Sequence, residues 1–215
     1  MELKKKFKKI GFIFGLKREM KLVSQKNNNI ICVYGYGKAS KNAAKELIKF
    51  GVDIVINFGF AGSISKSLKN GDIVFVDNLF NEKKEKLSTL KLDEDFLRNL
   101  ENGFKFFKSN LLTVNKIVAD KEEKLNLAKK FKSISVIDME AFYIKKELIK
   151  AKIPMVSMKV IFDDLSFDIP LFIKDCINDK GDLKIITFFR KLVLNPSIIF
   201  CLLKLNSKFL KSKKV

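Results

Sequence analysis

Short apolar, β-branched runs alternate with segments of helical spacing along most of this chain, and that alternation is what most restricts its fold. Ile10–Phe14 and Ile30–Tyr34 read as buried strands. Gly35-Tyr36-Gly37-Lys38 then turns the chain into 39–50, where Ala43, Ala44, Leu47 and Ile48 recur at helical spacing. A strand over 53–58 leads into Gly59-Phe60-Ala61-Gly62, and Asn70-Gly71 precedes another strand over 72–76. The polar stretch 81–108 reads as a lid, an excursion or an edge hairpin. Beyond it a strand over 111–118 and a helix over 121–131 are expected, the helix with acids at its start and lysines at its end. Strand 134–137, helix 140–150 and strand 155–161 complete the series. The pattern argues for an α/β domain with a parallel or mixed sheet covered on its faces.

Two of these runs end in acid. Glu140 follows the first and Asp163 the second, and the chain contains no histidine. Proton chemistry near neutral pH therefore falls to carboxyl groups, lysine or bound water. Ligands of open α/β sheets sit beyond the carboxyl ends of the strands, where the glycine turns and both acids lie.

At 215 residues the chain fits one large domain, and 47% hydrophobic with 31% charged residues is a globular composition. No apolar run is long enough to span a bilayer. The N-terminus has a basic stretch and a short apolar one but lacks a small-residue cleavage site, so a cytoplasmic protein is expected. Cys32, Cys176 and Cys201 are too far apart for a zinc pair or a disulfide framework and read as reduced thiols. The net charge of +19 suits an anionic partner, but it is spread along the chain without an arginine-rich tract. Nucleic-acid binding is not expected.

The glycine turns and acids, taken in order, resemble a known family. Gly15-Leu-Lys-Arg-Glu19, Tyr34-Gly-Tyr-Gly-Lys38, Asn57-Phe-Gly-Phe-Ala-Gly62, Asn70-Gly-Asp72, Asp138-Met-Glu140 and Phe162-Asp163 follow the order found in purine nucleoside phosphorylases and methylthioadenosine/adenosylhomocysteine nucleosidases. The resemblance covers roughly residues 10 to 168. It implies a single three-layer α/β/α domain with a mixed central sheet over 1–182; over 183–215 apolar residues interleaved with lysines read as a basic amphipathic helical tail. Beyond Asp168 the chain is most similar to the hopanoid-associated phosphorylase branch, thought to remove adenine from adenosylhopane.

The activity so implied is cleavage of the N-ribosyl bond of a purine, adenosine-type nucleoside. Asp163 would be the general acid at the departing purine, with Asp164 the alternative should the register slip by one. Glu140 would grip the ribose hydroxyls, with Met139 as an apolar floor and Gly59, Phe60 and Val118 lining the substrate. Glu19 stands near the carboxylate that activates water in nucleosidases. Lys159 takes the place of an arginine that the family points at the nucleophile, and Arg18, Lys38 and Gly37 complete a cationic pocket suited to phosphate. Phe60 replaces a serine of the nucleosidases. Water and inorganic phosphate both stay open as the acceptor, and no metal or other cofactor is expected. The implied partners are the nucleoside and further copies of the chain. The tail reads equally as a helix pair on an anionic membrane surface or as a helix docked on the domain or a second subunit. The alternative to an enzyme is a catalytically degenerate purine-nucleoside-binding protein of the same fold.

Overall fold

Among the described residues eight strands form one mixed sheet with helices packed on it: β1 (Ile10–Phe14), β2 (Ile30–Tyr34), β3 (Ile54–Ser63), β4 (Ile73–Asn81), β5 (Lys86–Ser88), β6 (Phe106–Thr113), β7 (Ile134–Asp138) and β8 (Met155–Asp163). The computed structural model describes residues 7–20, 28–93 and 105–166. The tail expected over 183–215, with Cys176 and Cys201, lies outside the described residues.

The helices are α1 (Lys17–Met20), α2 (Ser40–Lys49), α3 (Lys121–Lys130) and α4 (Ala141–Lys150), with a 3-10 turn at Gly37–Ala39. Their boundaries follow from local chemistry. The Asp120 side chain accepts the Glu123 N–H at 2.7 Å and starts α3, while Lys129 and Lys130 close it against the negative end of the dipole. In α2 the small, buried face of Ala43, Ala44 and Leu47 lets the helix pack closely. Pro154 sits just before β8, where it cannot prolong the preceding helix.

β1 pairs in parallel with β2 and β3, as βα crossovers require. β3 then pairs in parallel with β8 over most of its length and meets β7 in antiparallel fashion at its end, Gly62 opposite Ile137. β8 runs antiparallel to β4, which pairs with β6, which pairs with β7. The circuit from β3 through β8, β4, β6 and β7 returns to β3, so this part of the sheet closes on itself.

The largest apolar cluster joins α2 and α4 (Leu47, Phe142, Ile144, Leu148) to strand residues Ile13, Val55, Val74, Leu111 and Ile161. A second lies under α3, and a third around Ile10, Ile54, Phe75 and Val156.

Four elements differ from the sequence expectation, one being the strand expected over 72–76, which runs on to Asn81 as β4. The run Gly59-Phe60-Ala61-Gly62 does not leave the sheet as a turn: β3 continues through it to Ser63 because β8 pairs with it residue by residue. The strand expected over 111–118 is instead Phe106–Thr113, since Phe106 pairs with Ile73 and Thr113 with Asp138. Of the readings open for 81–108, the part just after β4 is an edge hairpin, with β5 antiparallel to β4.

Candidate active site

Glu19 lies on the first turn after β1 and is 4% exposed. Its Oε2 accepts the Leu16 N–H at 2.8 Å and its Oε1 the Phe60 N–H at 2.9 Å, which ties the turn to β3. A Cβ on Gly59 would stand 3.1 Å from Glu19 Oε2, so the carboxyl lies flat on a strand that must be bare there. Burial pushes this carboxyl up, while the backbone donors and the charge of Lys159 pull it down.

Glu140 is the residue before α4, but its side chain does not cap that helix. Oε1 accepts the Gly37 N–H at 2.9 Å and Oε2 the Met139 N–H at 3.2 Å. Gly37 reaches this position with φ of 53°, in the left-handed region. The cap of α4 is Asp138, whose Oδ2 accepts the Ala141 N–H at 2.9 Å and whose Oδ1 accepts the Thr113 hydroxyl at 2.7 Å. Lys159 Nζ lies 2.9 Å from Asp138 Oδ2, both side chains being almost fully enclosed. Glu140 and Glu19 converge: a Cβ placed on Gly15 would be 3.4 Å from Oε2 of each. Burial first, then the neighbouring Asp138, push the Glu140 carboxyl up from 4.5 to about 8, against the pull of Lys159 and the Gly37 amide. Met139 closes this end, 3.5 Å from the Tyr36 hydroxyl, whose own pKa burial and Glu140 raise to about 12.

Asp163 stands at the end of β8. The register shift between Ala61 and Gly62 sets both Phe162 and Asp163 against Gly62, a bulge that re-aims the acid. A Cβ on Gly62 would lie 3.0 Å from Asp163 Oδ1, so only glycine leaves it room. Burial raises the Asp163 carboxyl, opposed by Lys124, whose Nζ is 2.7 Å from Oδ2. Asp164 belongs to the backbone instead: its carboxylate accepts the N–H groups of Asn70 at 2.9 Å and Ser166 at 2.8 Å. The one-residue alternative for the acid is therefore not favoured by geometry. Beside it the rings of Phe60 and Phe162 pack with centroids 5.8 Å apart.

One strand organises both ends. β3 presents Gly59 and Phe60 to Glu19 and Gly62 to Asp163. The described members of the cationic pocket read from the sequence have these partners and positions. Lys159 is engaged by Asp138, the Gly37 amide by Glu140, and Lys38 faces solvent. The side chain of Arg18 lies outside the described structure. Val118 is a core residue, 5% exposed, in the cluster beneath α3 against which Met139 packs. Through Met139 it adjoins the residues gathered around Glu140.

Two participants carried no sequence signal of their own. Asp138 reads as an ordinary helix-start acid, and Lys124 as one lysine among many on a charged helix; its complete burial follows only from how α3 is rotated onto β8.

The profile of the phosphorylase superfamily matches residues 15–170. A 5′-methylthioadenosine/S-adenosylhomocysteine nucleosidase of Buchnera aphidicola subsp. Baizongia pistaciae is 27% identical over 205 residues, covering 75% of this chain and 80% of the relative. Among solved structures, the nucleosidase of that name from Helicobacter pylori, bound to butyl-thio-DADMe-Immucillin-A, superposes with a TM-score of 0.65 at 21% identity over 74% of this chain and 86% of its own. A futalosine hydrolase of Helicobacter pylori superposes with a TM-score of 0.66 at 20% identity over 80% of this chain and 91% of its own.

Proposed function

Because the chain belongs to the phosphorylase superfamily, whose profile spans most of it, we propose that it cleaves the N-ribosyl bond of a purine nucleoside with water as the acceptor. The observation that carries this reading is the convergence of Glu19 and Glu140 beside Gly15, with Lys159 already paired to Asp138. Among the described residues, three carboxyl groups share one ammonium group at that end. A phosphate dianion would find that ammonium group already engaged by Asp138, whereas a water molecule needs an acceptor such as Glu19 for its proton.

The reaction follows from the placement of the acids. The water oxygen bonds to the anomeric carbon as the carbon–nitrogen bond breaks, and that bonding pair leaves with the purine. Asp163, carrying a proton, gives it to the departing base. Glu19 takes the proton of the attacking water. Glu140 holds the ribose hydroxyls, and its hold tightens as the sugar becomes cationic, which is where binding accelerates a reaction. The relatives named above lead to methylthioadenosine and adenosylhomocysteine as first substrates, and the resemblance of the tail to adenosylhopane as another.

The test is product analysis of the full chain with methylthioadenosine, adenosylhomocysteine, adenosine or adenosylhopane, each with and without phosphate. Free purine and free sugar without phosphate are expected, and Asp163→Asn should abolish both. A strict need for phosphate, with sugar phosphate as product, would overturn the choice of water; no base release from any substrate would overturn the enzyme. A second reading, a nucleoside-binding protein without turnover, draws on Phe60 and Phe162, whose rings pack together next to Asp163 in the chain. Purine binding by calorimetry with no product would favour it.

A further inference from the structure

Lys124 is the side chain that the proposed reaction does not yet use. It sits in the first turn of α3, is fully enclosed, and reaches across to β8, where Nζ lies 2.7 Å from Asp163 Oδ2 and 3.2 Å from the Asp164 carbonyl oxygen. Such an ion pair is a weak source of net stability, since desolvating two charges offsets much of their attraction. An apolar pair of the same volume would hold α3 on the sheet as well. What an apolar pair could not do is fix the direction and charge of a carboxyl group at the strand end.

We propose that Lys124 is a positioning residue acting through Asp163, holding its carboxyl against Gly62 and governing when that carboxyl carries a proton. The inference rests on the reading of Asp163 as the acid. The charged groups bearing on Asp163 are Lys124 from α3 and Asp164 from its own chain; β3 brings Gly62 against it and β7 brings Ile137 beside that glycine. Lys124 opposes the burial that would otherwise keep the carboxyl protonated to higher pH. The acid is thereby poised, neither permanently neutral in an apolar slot nor freely ionised in water. With its Lys124 contacts made to the last residue of β8 and the carbonyl just after it, the carboxyl also keeps one fixed orientation toward an incoming base.

The experiment titrates Asp163 in the full chain by its carboxyl carbon resonance, assigned by its loss in Asp163→Asn, and measures the pH profile of base release from methylthioadenosine. Lys124→Gln keeps a donor and removes the charge; Lys124→Arg keeps the charge. Removing the cation should move the Asp163 midpoint upward by ~1–3 pH units, the range expected for an opposite charge at this distance, and the alkaline limb of the profile should follow. Lys124→Arg should leave both near those of the intact chain. If Lys124→Gln does not fold, Lys124→Met is read in the same way. A fixed midpoint, or activity lowered equally at every pH, overturns the inference and leaves Lys124 a packing residue. The two readings fail separately: full turnover by Asp163→Asn removes the acid itself, whereas a dead Asp163→Asn with an unmoved midpoint in the Lys124 variants removes only the role of Lys124.

Discussion

Replacing Glu140 with glutamine tests the electrostatics on which the sugar end depends. Glu140 is buried beside Asp138 and Glu19, and its carboxyl is pushed up from 4.5 to about 8. The folded chain therefore holds a proton on this group across an interval in which the unfolded chain has lost it. A carboxyl raised in this way leaves stability intact below pH 4.5 and removes it progressively as pH climbs toward 8. At about 1.4 kcal/mol per unit, that interval corresponds to a loss on the order of 5 kcal/mol. Glutamine keeps an oxygen for the Gly37 N–H, now 2.9 Å from Oε1, and cannot ionise. The assay is urea unfolding of both full chains at pH 5, 6, 7 and 8. Glu19 and Asp163, also raised by burial, are present in both chains. Their contributions largely cancel in the difference, and what remains of the coupling between Glu19 and Glu140 has the same sign. Glu140→Gln should gain stability relative to the intact chain steadily from pH 5 to pH 8. Two curves that stay parallel over that range would refute the reasoning, because they would mean that Glu140 is ionised throughout and that the acids are not crowded as the geometry requires.

Lys159→Met should destabilise the fold by ~3–5 kcal/mol by stranding Asp138 in a buried site, as breaking one side of an enclosed ion pair does. Because Lys159 also draws down the raised carboxyls of Glu19 and Glu140, the loss should be larger at pH 8 than at pH 5, measured by urea unfolding at each. Asp120→Ala removes the acceptor of the Glu123 N–H and should cost ~1 kcal/mol in the same assay. Because α3 carries Lys124, this variant should also weaken base release more than its small stability loss explains, read as kcat on methylthioadenosine.

Much of the fold was legible because its signals are local. β1, β2, β7 and β8 read as apolar runs bounded by turn residues, and α2 and α4 as segments of helical spacing. β6 was displaced because 106–118 holds two overlapping apolar stretches, and only pairing with β4 and β7 selects the first. β3 was cut short because two glycines within four residues resemble a turn until β8 lines up beside them. Glu19, Glu140 and Asp163 were picked out through the order of motifs, and the structure puts Glu19 in α1 after β1, Glu140 just before α4 and Asp163 at the end of β8. Lys159 was found as a cation but not as the partner of Asp138.

The sequence by itself determined which elements exist and where their acids lie, since hydrophobic period, turn chemistry and chain order are properties of neighbouring residues. Only the tertiary structure decided which charge faces which. Closure of the sheet from β8 through β7 back to β3 sets Gly62 between Asp163 and Ile137, the packing of α3 drives Lys124 into Asp163, and the register of β8 delivers Lys159 to Asp138. These pairings join residues far apart in the chain and turn on register and helix rotation, where a shift of one residue would face every side chain the other way. A lysine on a basic chain looks like any other lysine until the fold removes the water around it.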